Sequence, residues 1–99
     1  LYTEIPAAAA TGKLDLRTQC HVSRVEHDDT GRVTGVVYFD AQGKEHRQRA
    51  RIVCVAGNSI ETPRLLLLSA SSKYPDGLAN SSGQVGRNYM RHIAALTFA

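Results

Sequence analysis

Apolar and polar residues alternate through the first half of the chain, and this alternation predicts short β-strands. The segments predicted to be strands are residues 13–17, 20–27, 33–39 and 44–50. Asp28 and Gly31 frame one turn, and Asp40 and Gly43 frame the next; aspartate and glycine suit tight turns because they bond locally and accept positive φ. The last three segments are therefore expected to form an antiparallel meander.

The second half begins with a continuously apolar segment, residues 52–56, which does not alternate. Such a run is typical of a parallel-sheet strand buried on both faces. Gly57 ends it, and residues 59–70, with four successive leucines, predict a helix packed on that sheet. Thr62 and Pro63 fit the N-cap and the first position of this helix. A helix that begins one turn earlier is the alternative.

The remaining segments are less strongly patterned. Residues 5–11 are alanine-rich and predict the end of a helix, which Gly12 would stop through a left-handed cap. Residues 71–86 are rich in Ser, Gly, Asn and Pro and predict a long surface loop. Residues 87–99 fit either a helix or a strand.

Composition sets the broad class of the protein. With 99 residues, 42% hydrophobic and 21% charged, the chain amounts to one globular domain at most, and disorder, collagen and coiled coil are excluded. No apolar run reaches the roughly 18 residues of a membrane span, so no membrane contact is expected from this segment. Localisation stays open.

The net charge of +3 comes mainly from basic residues between positions 44 and 51 and from Arg87 and Arg91. Glu45 interrupts the first group and no aromatic residue lies within it. We therefore favour a solvated edge strand over a polyanion site, and expect no nucleic-acid partner. A free-standing basic, β-rich module that binds nucleic acid or another polyanion is kept as the alternative.

The two cysteines give no metal site. Cys20 and Cys54 lie 34 positions apart, without a CxxC spacing or a histidine pair at ligand distance. Cys54 is interpreted as a small core residue of the apolar strand.

Two segments carry a resemblance to a known family. AGNSIETPRLLLLS (residues 56–69) resembles the second signature of the glucose-methanol-choline (GMC) oxidoreductases, and GLANSSGQVGRNYMRH (residues 77–92) resembles the segment that follows it there. Asn58 stands where the signature usually has Gly or Ser, and Ala70 where it usually has Gly. These departures place the chain nearer to the flavin subunits of bacterial gluconate or sorbitol dehydrogenases than to the fungal oxidases.

The resemblance implies an α/β fold: a partial two-dinucleotide-binding, Rossmann-like FAD domain with a three-stranded meander as crossover. Residues 12–57 would hold the strands and meander, residues 59–70 the helix, and residues 71–99 the loop and following segment. It also implies an enzyme that oxidises CH–OH groups of alcohols or sugars with FAD as hydride acceptor. The chain starts at Leu1 and has neither the family's GxGxxG motif nor its catalytic C-terminal region. We therefore expect an inactive internal piece with no catalytic residue.

The resemblance also implies cofactor-binding residues. The backbone at Val22 would bond the adenine edge, Ala56 and Gly57 would let the backbone approach the dinucleotide, and Asn88 and His92 would lie near the flavin. The structural alternatives are a core valine at Val22, an ordinary tight turn at Ala56 and Gly57, and a surface or capping role for His92. Further alternatives are a fragment of another FAD flavoprotein with the same fold, and a homodimer of the piece that covers exposed sheet edges.

Overall fold

The computed structural model describes residues 3–91 of the protein. Its elements are α1 (Glu4–Ala10), β1 (His21–His27), β2 (Val33–Phe39), β3 (Glu45–Arg49) and α2 (Asn58–Leu68). The strands form a three-stranded antiparallel sheet in the order β1-β2-β3. The predicted meander is confirmed, with each strand end within one residue of its expected place.

The two turns of the meander share one chemistry, which explains why they form. In the first, the carbonyl of Asp28 accepts the N–H of Gly31 at 2.9 Å, and Asp28 Oδ1 accepts the hydroxyl of Thr30 at 2.6 Å. In the second, the Asp40 carbonyl accepts the N–H of Gly43 at 2.9 Å, and Asp40 Oδ1 accepts two further N–H groups at 2.9 and 3.0 Å. Gly31 and Gly43 have φ of 90° and 76°, a conformation that glycine adopts without strain.

These contacts also change the acidity of the turn carboxylates. The Thr30 hydroxyl, followed by the Arg32 backbone N–H, lowers the pKa of Asp28 below its ordinary value. His46, with Nε2 at 2.6 Å from Asp40 Oδ2, is the main cause that lowers the pKa of Asp40. Both turns are therefore held best when their carboxylates are ionised.

The centre of the sheet is Val37 in β2, which is 0% exposed. Its neighbours across the two ladders are Arg24 and Arg47. Directly opposite residues share a face of the sheet, so the aliphatic stems of both arginines lie beside Val37. Their guanidinium groups lie 3.4–3.8 Å from the carboxylates of Glu26 and Glu45. A small network of ion pairs thus lies on the same face of the sheet as the buried valine.

The end of α2 closes the outer edge of β1. Ser69, 3% exposed, accepts the N–H of Val25 at 2.9 Å and donates its hydroxyl to the Leu65 carbonyl at 2.7 Å. One hydroxyl therefore joins the helix to a backbone group that an edge strand would otherwise leave unpaired. Val25 is the second buried apolar residue of the described part of the chain.

The loop after α2 is pinned to the first hairpin turn. His27 Nε2 lies 2.8 Å from Ser71 Oγ, and the ring of Tyr74 packs edge-on against the ring of His27 with centroids 4.9 Å apart. Lys73 Nζ donates to the carbonyl of Asp29 at 2.8 Å. Residues 71–91 contain turns and bends without a helix or strand, so the predicted loop at 71–86 is confirmed. Residues 92–99 lie outside the described part.

The N-terminal prediction is also confirmed. The alanine-rich helix α1 ends as expected, with the Gly12 N–H donating to the Ala9 carbonyl at 3.0 Å and Gly12 at φ 67°. No residue of α1 is buried. Neither described helix is long and apolar enough to cross a bilayer.

Two predicted strands are not strands in the structure. Residues 13–17 are exposed and irregular; Arg17 bonds Asp15 and the Tyr38 hydroxyl instead of a neighbouring backbone. Residues 52–56 form no ladder, and Ile52 is 79% exposed. Cys54 is exposed too, so its assignment to a core is wrong here. An interior parallel strand needs neighbours on both sides, and the described residues supply none.

The leucine-rich helix follows residues 52–56 as predicted but begins one turn earlier than its Thr62 cap would require. Asn58 Oδ1 accepts the N–H groups of Ile60 and Glu61 at 2.8 and 3.0 Å, so Asn58 caps the first turn. Thr62 instead accepts the N–H of Gly57 at 3.1 Å. Pro63 therefore lies inside the helix rather than at its first position.

Candidate functional site

A cleft of about 530 Å3 lies between the start of β1, residues 52–57 and the first turns of α2. We call it the strand–helix cleft. It is lined by Cys20, His21, Val22, Val36, Ile52, Val53, Cys54, Val55, Ala56, Gly57, Glu61, Arg64 and Leu65. The structure therefore brings together three of the five predicted cofactor residues, Val22, Ala56 and Gly57, from segments more than 30 positions apart.

The turn at Ala56 and Gly57 is narrow and exposes its backbone. The Gly57 N–H donates to Thr62 Oγ1 at 3.1 Å, which ties the end of the apolar segment to the helix. A Cβ on Gly57 would lie 3.3 Å from the Cβ of Glu61, closer than most such contacts. Small residues at this point keep the backbone within reach of a ligand in the cleft.

The N-terminus of α2 offers few free donors to a phosphate. A helix N-terminus attracts anions through its free N–H groups and dipole. Here Asn58 Oδ1 already occupies the N–H groups of Ile60 and Glu61, and the Glu61 carboxylate adds a negative charge to the first turn. The cleft walls are mainly apolar. This arrangement suits a flat ring or sugar better than a pyrophosphate.

Sequence reasoning missed the polar residues of this cleft. His21 and Arg64 both line it. Arg64 Nη1 donates to Glu61 Oε2 at 3.1 Å, a contact that the three-residue spacing on a helix predicts once the helix is placed correctly. His21 gives no local signal, because only the packing of α2 and residues 52–57 beside β1 brings it to the cleft.

The other predicted cofactor residues lie elsewhere. Asn88 is exposed, does not line the strand–helix cleft, and donates from Nδ2 to Gln84 Oε1 at 3.0 Å. His92 lies outside the described residues. Asn80, from the same motif, holds the loop together by accepting the Val85 N–H at 3.0 Å and donating to the Asp76 carbonyl at 2.7 Å. For Asn80 the motif therefore has a clear structural role.

A second polar cluster lies beside the strand–helix cleft, because Tyr38 in β2 pairs with Val22 in β1. The ring of Tyr38 stacks on the ring of His46 with centroids 5.2 Å apart, and Arg17 Nη1 donates to the Tyr38 hydroxyl at 2.9 Å. Asp15 bonds the guanidinium and raises the pKa of Arg17 further. The polar groups of this cluster are therefore hydrogen-bonded to one another. Within residues 3–91, no three histidine, cysteine or carboxylate side chains are grouped as a metal site would need.

Comparison with known proteins defines the class. The family model described as GMC oxidoreductase matches residues 3–94. The chain therefore belongs to the GMC oxidoreductase family, and the family predicted from the two motifs is confirmed. A fragment of a flavoprotein outside this family is excluded.

Three relatives illustrate the neighbourhood. The chain is 47% identical over 93 residues to a 2-methyl-1,2-propanediol dehydrogenase of Mycolicibacterium austroafricanum. The aligned region covers 93% of this chain and 16% of the relative. It is 39% identical to a fructose dehydrogenase large subunit of Gluconobacter japonicus, over 93% of this chain and 17% of the relative. It is 36% identical to a gluconate 2-dehydrogenase flavoprotein of Pantoea cypripedii, over 86% and 14%.

The predicted similarity to flavin subunits of gluconate dehydrogenases agrees with these relatives. The chain spans only 14–17% of the length of the three. What each complete relative does is therefore a property of a much longer polypeptide.

Proposed function

We propose that the complete protein is an FAD-dependent oxidoreductase that oxidises CH–OH groups of alcohols or sugars. We further propose that this chain forms one wall of the site for the adenosine end of FAD. The observation that carries the proposal is the strand–helix cleft, where Val22, Ala56 and Gly57 line one space of about 530 Å3. Family membership supports the reaction class, and one relative is itself named a flavoprotein.

Bound FAD would supply the hydride acceptor, and the protein would supply binding and orientation. In this chain, the valines of the cleft would exclude water from the ring, and the open backbone at Ala56 and Gly57 would approach the sugar. The mainly apolar lining and the capped N-terminus of α2 fit this end of the cofactor better than its pyrophosphate.

The histidines of the meander are not proposed as proton carriers. His27 bonds the Asp28 carbonyl and Ser71 Oγ, each at 2.8 Å, and His46 bonds Asp40. Neither of these two lines the strand–helix cleft; His21 does, but that cleft is proposed for the adenosine end of FAD and not for the flavin ring. The catalytic base is therefore expected in a part of the complete protein outside this chain.

The fold proposal follows from residues 52–56. We propose that in the complete protein this segment gains strand neighbours and becomes an interior strand of a two-dinucleotide-binding domain. Its exposed apolar side chains support this, because Ile52 is 79% exposed and Leu68 on α2 is 54% exposed. Burying such surface contributes about 25 cal/mol per Å2, which favours a covering sheet.

Enlarging Ala56 tests the role of the cleft in the complete protein. Ala56→Leu fills the point where the backbone would approach the cofactor, and we expect the dissociation constant for FAD to rise about tenfold. The matched control is Ala41→Leu, because Ala41 is exposed in the β2–β3 turn and does not line the cleft. If FAD affinity falls equally in both variants, or in neither, the proposal that this chain forms part of the FAD site is contradicted.

The reaction class is tested by anaerobic reduction. Flavin in the purified complete protein should lose its visible absorbance when an alcohol or sugar substrate is added, and a panel of both classes would show which is accepted. A complete protein that contains no flavin would contradict the proposal. The 99-residue chain alone should show no activity and weak or no FAD binding. One equivalent of flavin retained after gel filtration would contradict that expectation.

A further inference from the structure

A second cleft, of about 460 Å3, lies beside the residues that join β3 to the apolar segment. It is lined by Arg32, Val33, Thr34, Arg49, Ala50 and Arg51. We call it the arginine cleft. It shares no lining residue with the strand–helix cleft.

The backbone explains why three arginines meet there. Arg49 ends β3 opposite Gly35, and the Ala50 N–H then donates to the Thr34 carbonyl at 3.0 Å, so the pairing with β2 continues beyond the strand. The chain bends at Arg51, directly after this extension, and Arg51 also lines the cleft. Arg32 enters from the other strand, directly before β2 begins.

These arginines differ from the others of the sheet in their charge environment. Arg24 and Arg47 lie within 3.8 Å of the carboxylates of Glu26 or Glu45. In the described part of the chain, no carboxylate forms an ion pair with any of the three arginines of the cleft. The three guanidinium groups therefore have no ion-pair partner among the described residues, and Asp28 Oδ1 accepts the backbone N–H of Arg32 at 2.9 Å instead.

We propose that the arginine cleft binds the phosphate group of a small phosphorylated molecule. Guanidinium groups donate paired hydrogen bonds that match phosphate and carboxylate oxygens. One guanidinium fork satisfies a planar carboxylate, whereas a tetrahedral phosphate presents terminal oxygens in several directions and suits donors from two strands. No aromatic residue lines the cleft, so it offers no stacking platform for the bases of a single-stranded nucleic acid.

This site is independent of the proposed FAD site. The arginine cleft includes Arg51 and the strand–helix cleft includes Ile52, so the two are neighbours in the sequence but have no lining residue in common. The ligand of the arginine cleft would therefore be a second molecule, bound outside the strand–helix cleft. Its binding requires no flavin.

The test uses calorimetric titration of the complete protein with inorganic phosphate at low ionic strength, against a chloride solution of equal ionic strength. Arg49→Ala and Arg51→Ala are each expected to weaken phosphate binding about tenfold, because each removes charged hydrogen bonds. Arg49→Lys keeps the charge but loses the fork, and a smaller loss is expected. The control is Arg47→Ala, which removes the same charge from the same strand but has Glu26 at 3.4 Å as partner.

Arg47→Ala should leave phosphate affinity within about twofold of the unchanged protein. Equal losses at Arg47 and Arg49 would show a general charge effect and overturn the proposal, as would the absence of phosphate binding in the unchanged protein. A short DNA duplex, titrated under the same conditions, distinguishes the source of the phosphate. Duplex binding far tighter than phosphate, with a steep dependence on salt, would overturn the small-molecule assignment.

Circular dichroism of each variant confirms that its sheet is intact. Should Arg49→Ala disturb the sheet, Arg51→Ala decides the matter, since Arg51 lies beyond β3. The measured quantity is phosphate affinity, which does not depend on flavin. A complete protein without flavin would therefore contradict the proposed function but would not decide this proposal, which depends on the phosphate titrations alone.

Discussion

The meander and the region from residue 52 to the end of α2 differ in where their partners come from. Each strand of the meander pairs with the strand next to it in the sequence, across a turn that carries its own hydrogen bonds. Residues 52–56 have no strand partner in the described part of the chain. Val37 is fully buried in the first region, and Ile52 is 79% exposed in the second. Structure that is local in sequence is complete here, whereas structure that depends on distant segments is not.

The largest effect is expected where two strands of the meander come closest. A Cβ on Gly35 would collide with the Gln48 carbonyl oxygen and lie 2.9 Å from the Arg49 Cα, and both groups belong to the backbone. Gly35→Ala should therefore lower the free energy of unfolding by more than about 3 kcal/mol, measured by chemical denaturation of the complete protein. Gly12→Ala is the control for the mutation type, because its Cβ would meet nothing within 4 Å. A loss no larger than that of the control would mean that β3 moves easily.

The second region is tested by Ile52→Ala in the complete protein. If residues 52–56 become an interior strand there, the loss should be about 2 to 3 kcal/mol, as for a buried isoleucine. If Ile52 stays exposed, the change should be within about 0.5 kcal/mol. Thermal unfolding separates the two values, and the smaller one would end the proposal of an interior strand.

The two turns differ in what surrounds their glycines. Gly31 and Gly43 both have positive φ, but a Cβ on Gly31 would collide with the Tyr74 hydroxyl, whereas a Cβ on Gly43 would meet nothing within 4 Å. Gly43→Ala should cost about 1 kcal/mol from backbone strain alone. Gly31→Ala should cost about 2 kcal/mol, because the loop must also shift. Equal losses in denaturation would show that Tyr74 does not hold the first turn.

The smallest effect is a dependence on pH. The pKa of Asp28 is lowered in the folded protein, so its contribution to stability is present above the unfolded pKa and is lost as pH falls through the folded pKa. Asp28→Asn should lower the melting temperature at neutral pH, and the difference from the unchanged protein should shrink below about pH 4. Asp29→Asn is the control, since the Asp29 carboxylate bonds no described residue. This mechanism would be contradicted if the difference in melting temperature between Asp28→Asn and the unchanged protein stayed constant down to about pH 2.

The same contrast decides what could be predicted from the sequence. The turns at Asp28 and Asp40 were predictable because aspartate and glycine determine them within four residues. The strands followed from alternation, which a sheet exposed to solvent on one face preserves. Residues 13–17 misled because alternation alone does not provide a neighbour to pair with.

The candidate site was predictable only in part. The small residues Ala56 and Gly57 were found through the family motif, and the structure places Val22 beside them in one cleft. The predictions for Asn88 and His92 stay predictions. Arg64 and the capping role of Asn58 depend on where α2 begins, which the competing signal at Thr62 and Pro63 obscured. His21 could not be found, because it reaches the cleft only through the packing of distant segments.

The unequal surroundings of the two turns have a practical side. Lys73 bonds the turn of the β1–β2 hairpin, and Tyr74 packs against Gly31 in the same turn. The loop that follows α2 therefore constrains the length of this hairpin. Ala41 and Gln42 are exposed at the tip of the β2–β3 hairpin, and a Cβ on Gly43 would meet nothing within 4 Å. An epitope tag or a fluorescent label inserted there would disturb neither cleft, and it would offer a handle for immobilising the protein with both proposed sites accessible.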